Sequence, residues 1–200
     1  MTEGDVWQVS GITRDRAYIV SSDSDGRPAY GGTPSDASVI KAIQDLKARG
    51  KKILLYPFIM MDIPAENGLI DPYGGSEQAA YPWRGRITCS PAPGRDNSPY
   101  GSAQITTDIA KLFGTAAASD FSISGEDVTY MGATVNAHTI RRMILHYTQL
   151  AKVAGGVDAF LIGTEMVQLT RLKNETNAFP AVDQYCTFCL LYTSPSPRDA

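Results

Sequence analysis

Two acids stand directly after apolar runs: Asp62 follows Ile53–Met60, and Glu165 follows Ala159–Ile162. Burial against apolar and aromatic walls is how a carboxyl group is kept protonated near neutrality, as a glycosidase general acid must be. The competing reading is that either acid caps the next helix or pairs with a neighbouring arginine. Between them, from Asp62 to about Pro99, runs a segment rich in Gly, Pro and Asn that carries Tyr73, Tyr81, Trp83, Arg84 and Arg86, a heavy load for a passive linker. Tyr and Trp faces stack on pyranose rings, and guanidinium groups donate hydrogen bonds to hydroxyls. The alternative is that Tyr81 and Trp83 pin a long loop in place. His138 and His146 lie about two helical turns apart, some 12 Å, too far to share a metal through one helix. His146 reads as a packing or hydrogen-bonded residue. No nucleophile elbow, phosphate loop, paired-histidine zinc motif or dinucleotide fingerprint is present, so the sequence calls for neither metal nor cofactor.

These residues need elements to hold them. Val6–Ser10 and Ala17–Val20 alternate as short strands, the second before a turn at Asp25-Gly26. Thr33 and Pro34 predict a helix start, with Thr33 as the cap, and Val39, Ile40, Ile43 and Leu46 fall on one face before a stop at Gly50. Ile53–Met60 suits a parallel strand covered on both faces, with Pro57 interrupting it late. A helix is predicted from about Ala103 to Phe113, and a hairpin about Gly125 with arms Phe121–Ile123 and Val128–Tyr130. A further helix carries Ile140, Met143, Ile144, Tyr147, Leu150, Ala151 and Ala154 and ends at Gly155-Gly156. The short strand Ala159–Ile162 follows. Alternating strands and helices of this kind make α/β structure, a parallel sheet or barrel. In a barrel the functional groups leave the C-terminal strand ends, where Asp62 and Glu165 both sit.

Composition limits the partners. The chain has 200 residues, 43% hydrophobic and 20% charged, which is short for a complete eightfold barrel of roughly 250 residues. A net charge of -3 with interspersed signs offers no basic stripe for nucleic-acid phosphates. No apolar run reaches the roughly 20 residues of a membrane span, and no signal peptide is visible. Cys186 and Cys189 form a C-x-x-C pair, but the stretch from Cys189 to Asp199 looks like the translation of a sequencing-library adapter. It is expected to be disordered. Cys89 and Cys186 then remain as unpaired thiols.

Several segments together resemble the TIM-barrel-like domain of the gene transfer agent host-specificity protein: Asp25–Pro34, Tyr56–Pro64, Asp71–Gly75, Tyr81–Cys89 and Gly156–Glu165. They run in order over about Val6 to Asp183. The resemblance implies a baseplate-hub component at the distal tail of a phage-like particle, a virion protein that meets other tail proteins and a glycan or receptor on the recipient cell. The same segments more weakly resemble barrel glycosidases of the mannanase-like clan. Carried over, that resemblance makes Glu165 the general acid/base and Trp83 and Arg84 substrate-binding residues, with Asp62 as a further binding candidate. The nucleophile of that clan follows a seventh strand, which this chain does not reach.

The resulting expectation is an α/β fold, a partial TIM barrel over residues 1–185 truncated at both ends, with adapter-derived residues over 189–200. The expected role is a tail component contacting the cell surface. The alternative is a glycoside hydrolase acting on cell-wall or surface glycan, inactive in this fragment.

Overall fold

Helix α1 (Asp36–Ala48) starts where the Ser35 hydroxyl accepts from the Ser38 amide at 3.3 Å. It ends at Gly50, whose φ of 67° lies in the left-handed region that closes helices. The cap is therefore Ser35 rather than Thr33, and Pro34 precedes the cap instead of opening the first turn. The computed structural model describes residues 19–22, 28–30, 34–59, 61, 63–133 and 139–193. The expected strand Val6–Ser10 lies outside them. The chain divides into two compact units, Met1–Asp62 with Gly114–Leu161, and Ile63–Phe113 with Ile162–Ala200.

In the first unit, strands β1 (Ile19–Ser22) and β2 (Pro28–Tyr30) form an antiparallel pair, and the expected Asp25-Gly26 turn lies outside the described residues. Strand β3 (Leu54–Leu55) runs parallel to a later strand, Ala159–Phe160, in the register Leu54 to Ala159. The Asp158 carboxylate fixes where this pair begins, accepting from the Ile53 amide at 2.8 Å and from Lys52 Nζ at 2.9 Å. Ladder bonds stop after the Leu161 amide donates to the Leu55 carbonyl. Pro57 has no N–H with which to continue, so the long strand expected over Ile53–Met60 is reduced to its first residues. Nor is the run covered on both faces: Leu54 is 55% exposed and Phe58 47%, while Ile53 and Ile59 are buried.

Helix α2 (Ala103–Phe113) belongs to the second unit. Back in the first, β4 (Phe121–Ser124) and β5 (Asp127–Tyr130) form the expected hairpin around Gly125, paired from Phe121–Tyr130 to Ser124–Asp127. Helix α3 (Ile140–Val153) is capped by Thr139 and followed by Gly155 and Gly156 at φ of 88° and 90°. Lys47 at the end of α1 donates to the carbonyls of Gly155 and Gly156, a cation on the negative end of α3. Helices α1 and α3 meet through Ile40, Ile43, Leu150 and Ala154, which close over Ile53. His146 is buried, and its Nε2 lies 3.0 Å from Asp36 Oδ1 in the first turn of α1, the hydrogen-bonded role expected for it. His138 lies outside the described residues.

The chain then passes through β6 (Ala159–Phe160), α4 (Val167–Thr170) and α5 (Pro180–Thr193). In the second unit α2 buries Ile105, Ile109, Leu112 and Phe113, the spacing of one helix face, and packs against α5. Phe113 meets the Tyr185 ring edge-on at a centroid distance of 4.9 Å. Helix α5 continues through Thr193, past the boundary placed at Cys189. Cys189, Leu190, Leu191 and Tyr192 carry no helix breaker, and the first proline after them is Pro195.

Among the described residues the strands form three two-stranded sheets, β1-β2, β3-β6 and β4-β5, and no closed barrel. The parallel β3-β6 pair, with helices between its strands in sequence, is the part of the α/β reading that the structure retains.

Candidate functional site

The long segment after Asp62 is shaped by its own polar side chains. Asn67 bridges the Pro64 and Gln78 carbonyls, and the Asp71 carboxylate accepts from the Tyr73 and Gly75 amides. Asp71 also lies 3.7 Å from Arg86, whose guanidinium sits 4.2 Å over the Tyr73 ring. Tyr73 in turn donates its hydroxyl to the Arg86 carbonyl at 2.8 Å. Burial pushes the Tyr73 phenol above its ordinary pKa, and likewise the Cys89 thiol behind it. These bonds hold the short 3-10 turn Arg84–Arg86, against which α4 packs.

That packing brings together three of the four candidate site residues. Trp83 Nε1 donates to Glu165 Oε2 at 2.7 Å, and Arg84 Nη2 meets the same oxygen at 2.7 Å. Arg84 is largely buried, with 14% of its side chain exposed, whereas the Glu165 side chain is 47% exposed. One carboxylate oxygen is thus held by an indole and a guanidinium, and Oε1 has no partner among the described residues. Asp62 lies outside the described residues.

Two backbone features support the cluster. Gly85 lies beneath the Trp83 ring, and a methyl group there would overlap Cη2, Cζ2 and Cζ3. With one face against Gly85, Trp83 remains 51% exposed. Glu165 adopts φ of 54°, a left-handed conformation that costs a non-glycine residue about 1–2 kcal/mol. Ahead of it Gly163 is packed by the Tyr185 ring, where a Cβ would come 2.7 Å from Cε1. Sequence reasoning missed Gly85 as the backing of Trp83. Its only signal was a glycine set between two arginines, which reads equally well as a turn residue.

No group of three or more metal-ligating side chains occurs among the described residues. Cys89 is buried, Cys186 and Cys189 are exposed, and none of the three is in a disulfide. No helix of the described residues is long and apolar enough to cross a membrane.

Residues 138–191 match the family model of the GTA TIM-barrel-like domain, that of the gene transfer agents. The matched residues include α3, β6, Glu165 and most of α5, and they extend two residues past Cys189. No curated protein matches the chain.

Proposed function

We propose that this chain is part of a tail component of a phage-like particle, and that Trp83, Arg84 and Glu165 form a patch contacting glycan on the recipient cell. The observation that carries the reading is the convergence of an indole and a guanidinium on one carboxylate oxygen, within a chain whose residues 138–191 match the gene transfer agent domain. A half-exposed indole backed by glycine offers a flat apolar face for a pyranose ring. Glu165 Oε1 accepts a sugar hydroxyl beside it. Backbone strain at Glu165 supports a functional role, because such strain persists where surrounding contacts impose it, and it concentrates at binding and catalytic sites. Binding of the protein to purified surface polysaccharide immobilised on a sensor tests the proposal. Wild type is expected to bind saturably and Trp83→Ala to lose about tenfold or more in affinity. Equal binding by both proteins overturns the patch.

A second reading is hydrolysis, with the same Glu165 side chain in the role of general acid/base. A retaining enzyme further requires a second carboxylate about 5–5.5 Å away. On this reading, Glu165→Gln lowers turnover of a glycoside with a poor leaving group by about a hundredfold or more, with less effect on an activated aryl glycoside. Absence of wild-type hydrolysis, or equal rates for the two proteins, removes the enzymatic reading and leaves the binding one standing.

A further inference from the structure

A second feature of the same loop is a cleft of about 500 Å³ between residues 70–74 and 90–96, within the size range of small-ligand sites. Its walls are the apolar side chains of Ile70, Pro72 and Pro91, and its polar side chains come from Asp71, Ser90, Arg95 and Asp96. The two sides are tied together by the Ala92 amide, which donates to the Pro72 carbonyl at 2.9 Å. The Ser98 hydroxyl braces the far side by donating to the Pro91 carbonyl at 2.9 Å.

Arg95 is the unusual member. Its guanidinium lies across Gly74, where any Cβ would overlap Nη2, and Gly74 has φ of 86°. Among the described residues Arg95 forms no ion pair, while the other acid of the cleft, Asp71, is engaged by Arg86 and by two backbone amides. Its Nη2 is the atom that meets the glycine, and a guanidinium is a planar fork of donors that matches a carboxylate. Asp96 beside it accepts from hydroxyls, and the prolines suit the C–H face of a sugar ring.

We infer that the cleft binds an acidic saccharide, its uronate carboxylate on Arg95 and its hydroxyls on Asp96 and Ser90. The inference rests on the glycan-contact reading and adds the class of glycan. It is tested by titrating the ¹⁵N-labelled protein with trigalacturonate, with the neutral galactose trimer and with inorganic phosphate, following the amides of residues 70–75 and 90–96 and the Trp83 indole N–H. Trigalacturonate is expected to shift the cleft amides saturably. Arg95→Ala is expected to weaken that binding about tenfold or more, with Arg95→Lys in between. Arg95 is exposed, so both variants retain the dispersed spectrum of the wild type. Equal affinity for the neutral trimer, equal occupancy by phosphate alone, or indifference to Arg95→Ala overturns the inference. Shifts confined to the cleft keep it while counting against the Trp83 patch. Shifts confined to the indole do the reverse.

Discussion

Replacing Gly85 with alanine perturbs the Trp83 platform without touching any group that would meet a ligand. A Cβ at this position falls 2.5 Å from Cζ2 of the indole, against an ordinary carbon–carbon contact of about 3.5–4.0 Å, so the ring retreats by about 1 Å. The bond from Nε1 to Glu165, now 2.7 Å, is then stretched past the useful limit of about 3.2 Å. A hydrogen bond to a charged group contributes about 1.5–3 kcal/mol. Both partners are about half exposed, so a discounted figure of about 1 kcal/mol is appropriate, roughly a fivefold fall in the population of the seated ring. In a Trp7→Phe background the remaining indole N–H reports Trp83 alone. Gly85→Ala is expected to move that resonance toward the solvent-exposed position and speed its exchange with water, while glycan affinity falls by a similar factor. An unchanged indole resonance would refute the argument that Gly85 seats the ring.

Two further outcomes test the scaffold. Leu150 is fully buried between α1 and α3, so Leu150→Ala is expected to cost about 2–5 kcal/mol in denaturant unfolding, with the midpoint moving and the slope preserved. The Lys52 side chain and the Ile53 amide hold the Asp158 carboxyl below its ordinary value of 3.8. Its contribution to stability is therefore present above that pH and lost as pH falls through the lower folded value; Asp158→Asn should flatten the acid limb of a pH–stability curve, and an unaltered limb would contradict the pairing.

How far the sequence could be read depended on the kind of signal. The α2 and α3 helices repeat apolar residues every third or fourth position and are followed by glycine, so their periodicity specified them closely. The β4-β5 hairpin was legible because Gly125 supplies the positive φ its turn requires. The Ile53–Met60 run misled because apolar content records a tendency to be buried, whereas ladder length depends on which N–H groups find partners. Pro57 removes one of them. The α1 cap was misplaced because Thr33 and Ser35 are both competent caps and only the backbone selects between them. At the candidate site, Glu165, Trp83 and Arg84 were identifiable as candidates by residue type and resemblance. Their meeting on a single oxygen was not, since it depends on a left-handed Glu165 that no side-chain preference announces. Gly85 and Gly74 were silent for a related reason: their importance lies in the large side chains that rest on them.

The central claim, that Trp83 presents its open face to a surface glycan beside Glu165 and Arg84, is most directly tested by the emission of Trp83 in the Trp7→Phe protein during titration with recipient-cell surface polysaccharide. A sugar ring stacked on the indole excludes water from it, so the account predicts a saturable blue shift, absent for Trp83→Phe and weakened by Glu165→Ala. Polysaccharide binding, measured independently, that leaves the Trp83 emission unchanged would contradict it.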